Sequence, residues 1–412
     1  MAAPQLTRTE SSSSRLLLPI ITALTALGSI SVSMYLPSLP SMATALHASP
    51  GAIKMSLTAF LFVFATSQIV YGPLSDRFGR KAPVVAGLVI YIAGSLLCAT
   101  ATEVTMLVAA RIVEALGAAA GPALGRAIAR DIYSGAQLTS SLAMIAAAVA
   151  LSPMLGPVAG GYLQAGFGWH ATFYVLSLAG LCLLLATLLL LPETNAQRSA
   201  DGLKAATIRR NYVLLLSDSE YISSLLCGGL LTAGNFAWTA IAPFLFAVRY
   251  GFSPDQYGNI ALFVGGGYLI GTFLCGRLSS RVAAPVLVYS GLGCALLSSV
   301  VIAALSLHHV GYWPIIGTMM LFTVGMGIVI PMAAACALSL HPEIAGSAAG
   351  LLGSLQIFTG ALGTLAAGFF RPASLSPTAY LLISVSLAAM VAGYIALKPF
   401  RTKLVSARMA NA

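Results

Sequence analysis

Charge is what this sequence has least of. Only 8% of its 412 residues are Asp, Glu, Lys or Arg, against about 25% in a soluble domain. That shortage excludes a soluble globular protein, and the 58% of hydrophobic residues demands an apolar solvent. The chain reads as an integral membrane protein. Its six cysteines, Cys98, Cys182, Cys227, Cys275, Cys294 and Cys336, all fall inside apolar runs with no close pair, so neither a disulfide framework nor a metal site is expected. Its five histidines, His47, His170, His308, His309 and His341, fall at run ends or joints. No cluster of carboxylates accompanies them, so the convergent acids, bases and ligands of an enzyme are missing. The expectation is a non-enzyme with no cofactor.

What the sequence does have is length in its apolar runs. Twelve stretches of roughly 20 residues, enough to cross a hydrocarbon core, occur at 16–36, 52–74, 83–101, 105–127, 139–163, 169–191, 221–247, 257–278, 283–306, 311–337, 345–370 and 376–397. Runs this long exclude a membrane β-barrel, whose strands alternate every second residue. The abundant Gly and Pro within them suit membrane helices that bend or pack closely. The fold class is therefore all-α. The first run is too long for a signal peptide and lacks a cleavage site, so it is expected to remain as a membrane helix.

The net charge of +10 would suggest nucleic acid if it were clustered on a soluble face, but it follows the membrane instead. With both termini in the cytoplasm, seventeen of the 21 Lys and Arg residues lie in the tails and inside loops. Lys54, Arg249 and Arg371 lie outside, and Arg111 within the membrane. This is the positive-inside asymmetry; the bilayer is the expected partner, and nucleic acid is not.

The longest polar stretch divides the chain near its midpoint. A tail at 1–15 precedes a six-helix bundle at 16–191, a cytoplasmic linker at 192–220, a second six-helix bundle at 221–397 and a tail at 398–412. An internal repeat supports the division. "GPLSDRFGRKAP" begins at Gly72 and "GRLSSRVAAP" at Gly276, each after the second run of its half. Parallel repeats of this kind build transporters whose halves rock about a central site.

"GPLSDRFGRK" resembles the loop between helices 2 and 3 of the major facilitator superfamily. "RIVEALGAAAG" is similar to that family's fourth-helix motif, and "GPVAGG" to the fifth-helix motif of its drug/proton antiporters. "YLPSLP", "APFLFAVRYGFSPDQYG" and "HPEIAGSAAGLLGSLQ" resemble the bicyclomycin and chloramphenicol resistance (Bcr/CflA) branch. The resemblance covers almost the whole chain. It implies two pseudo-symmetric six-helix bundles, a bacterial inner-membrane location, a monomer, and proton-driven export of small molecules by alternating access.

Each motif has a physical reading of its own. Gly72 and Gly79 permit the tight reversal between two helices. Asp76 places an anion where it can cap a helix or pair with Arg77 or Arg80; the resemblance implies a latch between bundles in an outward-open state, and a solvated positive loop is the alternative. Ser280 stands in the second copy where Asp76 stands in the first, so the second latch lacks a charge. In the fifth helix Pro157 removes a backbone donor while Gly156, Gly160 and Gly161 admit a close neighbour, either for movement or for packing alone. Ser152 stands where that motif usually begins with glycine, a small residue for a small residue.

Arg111 and Glu114 are the ionisable pair placed well inside the hydrocarbon, three residues apart on one helix face. Charge at that depth costs several kcal/mol and points to function. The resemblance implies that Arg111 controls proton movement, with glutamine usual at the position of Glu114. It also implies an aspartate just before "MYLP", where this chain has Ser33. Glu114 is thus a candidate proton carrier whose affinity changes if its separation from Arg111 changes; a permanent structural salt bridge is the alternative. Tyr35, Asn235, Trp238 and Gln356 are candidate substrate contacts because they combine apolar area with a few polar groups, although each could equally bond between helices or anchor at the interface. Such sparse charge suits neutral or weakly charged amphipathic compounds, amphenicols or bicyclomycin-like molecules among them. Export of an endogenous metabolite, or a sensor that no longer transports, are the other readings.

Overall fold

In hydrocarbon a backbone N–H or C=O finds no water, so each spanning segment must satisfy its own polar groups as a helix. The computed structural model describes residues 8–195, 205–371 and 374–398. Most of the two expected tails and residues 196–204 of the linker lie outside the described residues. Among the described residues twelve helices are long and apolar enough to cross a membrane: α1 Leu16–Ala45, α2 Pro50–Phe78, α3 Lys81–Ala99, α4 Val104–Ile132, α5 Gly135–Phe167, α6 Trp169–Leu190, α7 Ser219–Tyr250, α8 Pro254–Leu278, α9 Ala284–Ser306, α10 Tyr312–Leu340, α11 Ser347–Gly368 and α12 Ser376–Ala396. A further helix, Ala205–Ser217, precedes α7 and packs on α7 and α11.

Several helices outrun the apolar stretches that predict them, because helices stop at caps rather than where hydropathy falls. α7 begins where the Asp218 carboxylate accepts from the N–H groups of Glu220 and Tyr221, and ends at Gly251 in the left-handed conformation (φ 69°). α8 opens with a capping box in which Ser253 and Gln256 satisfy each other's backbone. α1 continues past its predicted end at residue 36 because the chain turns rather than stops at "YLPSLP". Pro37 and Pro40 each remove a donor, leaving one 3-10 turn, Leu36–Ser38, before the helix resumes over Leu39–Ala45. In α4, Pro122 cannot donate to Ala118, and the helix breaks at Ala119 into Val104–Ala118 and Ala120–Ile132.

Helices α1–α6 and α7–α12 form two bundles with matching contacts. α1 packs on α5 as α7 packs on α11, α2 on α4 as α8 on α10, and α3 on α4 and α6 as α9 on α10 and α12. Two helix pairs carry the main contacts between bundles, α2 with α11 and α5 with α8. Small residues allow these approaches. Gly51 of α2 abuts the Gly368 carbonyl, while Gly161 and Pro157 of α5 abut Pro254, Asp255 and Gly258 of α8.

These contacts cluster toward one end. At the end bearing the α1–α2, α5–α6, α7–α8 and α11–α12 joints, called here the far end, Thr58 donates to Thr364 across 2.9 Å. The Phe62 and Phe358 rings lie 5.2 Å apart, and Asn259 bonds Tyr162 at 3.3 Å. At the other, basic end polar contacts tie each bundle together from within. Asp218 meets His341 at 2.7 Å and Tyr221 donates to the Ala348 carbonyl at 2.6 Å, all in the second bundle. Gly72, Gly276 and Gly350 face open space there, and most of α5 between residues 135 and 150 is exposed or half-buried. The contacts between the bundles gather from the far end to mid-membrane, and α5 is open toward the basic end.

Burial acts to raise the pKa of Asp218, but His341 and the two capped N–H groups outweigh it and hold the carboxyl below the usual range. Such a group stabilises the fold above its unfolded pKa of about 4, and that contribution is lost as pH falls through the lower folded value. Replacing Asp218 by Ala is expected to cost about 1 kcal/mol at pH 7. The gap in melting temperature between variant and wild type, read by a thermal-shift assay in detergent, closes as the buffer is taken below pH 4. A gap that is constant with pH would show that the carboxylate charge does not matter.

Candidate functional site

α4 carries Arg111 and Glu114 on the face turned into the first bundle, and both are fully buried. At 1.5 Å per residue they lie roughly 10–15 Å from the far end of the helix. Arg111 Nη1 donates to Glu114 Oε2 at 2.7 Å. Ser95 Oγ donates to Glu114 Oε1 at 3.2 Å, and Cys98 Sγ approaches Oε2 at 3.6 Å. These two α3 side chains reach the carboxylate because Gly94 has no side chain: a methyl there would collide with the backbone of Glu114.

The guanidinium is compensated less completely. Its carbon lies 4.0 Å from the Phe60 ring centre, 4.3 Å from Tyr35 and 5.9 Å from Phe173, so three aromatic faces supply cation–π attraction. Nε and Nη2 of Arg111 have no hydrogen-bond partner. Tyr35 is fully buried and stands at the break in α1, and the turn that follows it, Leu36–Ser38, touches α7 and α8 of the second bundle.

The expectation that bundle movement changes the Arg111–Glu114 separation meets an obstacle. Both residues lie in the unbroken segment Val104–Ala118, so a rigid rotation leaves their spacing alone. What can move is the cover over Arg111, through Tyr35. Ser33 is buried at the α1–α5 crossing, its hydroxyl within 2.9 Å of both the Ser152 and the Ser29 carbonyls. Gly156 and Gly160 lie directly against Ser33 and Met34. The fifth-helix motif therefore has two faces, Gly156 and Gly160 toward α1, and Pro157 and Gly161 toward α8.

The α2–α3 loop forms a network with α4 and with the residues that follow α6. Asp76 pairs with Arg80 (2.6 Å), not Arg77, and Arg80 also pairs with Asp131 of α4 (2.9 Å). Burial acts against the Arg80 charge, but Asp131 and Asp76 outweigh it and raise its pKa. Arg77 lies over the Phe78 ring at 5.3 Å. Gly79 takes φ +90°. Glu193, beyond α6, accepts from the Arg80 N–H at 2.7 Å and the Lys81 N–H at 3.4 Å, an anion on the positive end of α3. Gly72 faces open space and Ser280 of the second copy is exposed. In this conformation the network ties α2, α3 and α4 of the first bundle together.

The four candidate substrate contacts are not brought together. Tyr35 covers Arg111, and Trp238, only 3% exposed, packs edge-on against Phe246 at 6.3 Å; both are core residues in this conformation. Asn235 and Gln356 are half-buried on α7 and α11, and Gln356 Nε2 is buried without a partner beside Gly228. Sequence reasoning missed Ser95, Cys98 and Glu193, which carry no local signature. It also counted Lys54 on the outer side of the membrane without giving it a role; the side chain is fully buried there. The signal was there, since residue 54 falls inside the 52–74 run.

Comparison with known proteins gives a consistent result. A model described as the Major Facilitator Superfamily matches residues 21–364. The chain is 28% identical over 337 residues to the bicyclomycin resistance protein homolog of Haemophilus influenzae, covering 82% of this chain and 85% of that one. It is 28% identical over 357 residues to multidrug resistance protein D of Escherichia coli K12 (85% and 88%). It is 26% identical over 342 residues to a chloramphenicol resistance protein of Pseudomonas aeruginosa (82% and 80%). Among solved structures, a D-xylose-proton symporter superposes with a TM-score of 0.74 at 13% identity, covering 91% of this chain and 97% of that one. A bacterial homolog of the human lysosomal transporter Spinster superposes with a TM-score of 0.71 at 15% identity (97% and 98%).

Two mutational outcomes follow from the packing. Glu114→Ala leaves Arg111 buried and unpaired and is expected to destabilise the fold by about 3–5 kcal/mol, whereas the double change with Arg111→Met recovers much of that loss; melting of the purified variants measures both. Gly160→Val drives a branched side chain into the Met34 carbonyl and is expected to cost at least 1–3 kcal/mol, while Gly72→Ala, facing open space, shifts the melting temperature little.

Proposed function

The chain belongs to the Major Facilitator Superfamily, and from that membership we propose that it is a proton-coupled exporter of small amphipathic compounds that works by alternating access. It is a transporter, not an enzyme, and a multi-pass membrane protein; its relatives support a drug-efflux role. Their names make bicyclomycin-like and amphenicol compounds the first substrates to try. The positive-inside asymmetry of the loops assigns the basic end and both termini to the cytoplasm of a bacterial inner membrane. On that assignment the gap between the bundles faces the cell interior, ready to take up a compound for export. A single chain carries both halves of the rocking unit, which suits a monomer.

The observation that carries the coupling assignment is the fully buried Arg111–Glu114 pair beneath Tyr35. A charge pair in a dry interior is expensive, and water reaching it would change the balance between its charged and neutral forms. Tyr35 links that cover to the second bundle through the Leu36–Ser38 turn. When the bundles rock, Tyr35 shifts over the guanidinium and admits water from one side, so that Glu114 takes up a proton on one face of the membrane and releases it on the other.

Substrates are taken to meet the half-buried Asn235 and Gln356 as the bundles move, with Tyr35 and Trp238 supplying apolar area once the core around them opens. The cavity would then hold few charges, which favours neutral or weakly charged compounds. No cofactor enters the cycle, since the proton gradient supplies the work.

The test is accumulation of labelled chloramphenicol in pump-deficient bacteria, with and without a protonophore. Wild-type cells are expected to accumulate little and to lose that protection with protonophore. Glu114→Gln, which keeps the shape and a hydrogen bond, is expected to match the protonophore-treated level while still exchanging substrate down its gradient in proteoliposomes. Normal uphill export by Glu114→Gln would remove Glu114 from the coupling step.

A further inference from the structure

Lys54 is the fifth residue of α2, in its first turns, where a cation opposes the dipole of its own helix. It is nevertheless fully buried, and the ion pairs among the described residues do not include it. Its compensation comes wholly from the other bundle. Nζ donates to the Ala367 carbonyl at 2.9 Å and to the Phe370 carbonyl at 3.3 Å, and it stands 5.6 Å from the centre of the Phe244 ring of α7. Ala367 lies in the last turn of α11, where the dipole is negative; its carbonyl accepts the Phe370 N–H at 3.2 Å and has a second lone pair for the ammonium. The cation that is misplaced on its own helix is well placed on the end of the neighbouring one.

That arrangement exists only while α2 and α11 touch. Around it the seam is closed by Gly51 on Gly368 and by the Thr58–Thr364 hydrogen bond one turn deeper, contacts that hold no charge. We propose that Lys54 is the latch of the far end: its ammonium ties α2 to the C-terminus of α11 and holds shut the side of the transporter opposite the open one. Opening that side strips the ammonium of both carbonyls and hands it to water. The latch is distinct from the Asp76–Arg80–Asp131 network, which lies at the basic end within one bundle. The proposal rests on the reading that the bundles rock, but it requires neither a particular substrate nor proton coupling.

Hydrogen–deuterium exchange of the full chain in lipid nanodiscs tests it without a transported compound. Lys54→Met keeps the apolar stem and removes every donor. The loss of charged hydrogen bonds is expected to raise exchange at residues 46–56 and 366–371 by about tenfold, with α3 and α6 unchanged. Lys54→Arg retains donors and is expected to stay near wild type. Far-end exchange in Lys54→Met equal to wild type overturns the proposal, as does an equal rise throughout the chain that Lys54→Arg shares. If Lys54→Met does not fold, amine acylation of the wild-type chain followed by mass spectrometry decides. Lys54 is expected to react at least about tenfold more slowly than Lys81, and to speed up in Gly51→Trp, which wedges the seam against Gly368. A Lys54 that reacts as fast as Lys81 in the wild type, or whose rate Gly51→Trp leaves unchanged, is not a latch.

Discussion

A charge placed in hydrocarbon must find its compensation inside the protein, and this structure is arranged around that requirement. Arg111 obtains one carboxylate and three aromatic faces. Glu114 obtains that guanidinium, a hydroxyl and a thiol. Supplying those partners fixes five helices relative to one another: α1 through Tyr35, α2 through Phe60, α3 through Ser95 and Cys98, α4 itself, and α6 through Phe173. Gly94 is part of the same solution, because only a residue without a side chain lets α3 come near enough to serve the carboxylate.

The second organising feature is the division of labour along the membrane normal. Contacts between bundles gather at the far end, through pairs that combine small residues with a few hydrogen bonds. At the basic end polar networks tie each bundle together, Asp76–Arg80–Asp131 in the first and Asp218–His341 in the second. α5 stands between the two regimes, with one glycine face on α1 and the other on α8. α5 thereby connects the second bundle to the segment of α1 that bears Ser33 and Tyr35.

Much of this was legible in the residues. Apolar runs predict all twelve spanning helices, since in a membrane hydropathy and helicity are the same constraint; their ends were misplaced by several residues because caps such as Asp218 and Gly251 act outside the apolar stretch. The i, i+3 spacing of Arg111 and Glu114 predicts their pairing, which depends on one helix alone. Contacts between distant segments were not legible. Nothing near Ser95 or Cys98 says that they face Glu114, Glu193 looks like part of a linker, and nothing near Lys54 says what it packs against. Tyr35 and Trp238 were selected for their chemistry, which suits a packed core as well as a binding surface, and only the fold distinguishes the two.

Glu193 has an implication for how the protein is made. The carboxylate that closes the N-terminus of α3 comes from beyond α6, so the first bundle is not finished when its sixth helix is inserted. It is closed by the residues just past that helix, where Thr194 also donates to Asp131 and Asn195 to the Ser75 and Asp76 carbonyls, all of them before α7 in the chain. The first half of the chain can then settle into its final packing as an independent unit during synthesis, offering α2 and α5 as ready surfaces on which the second half docks.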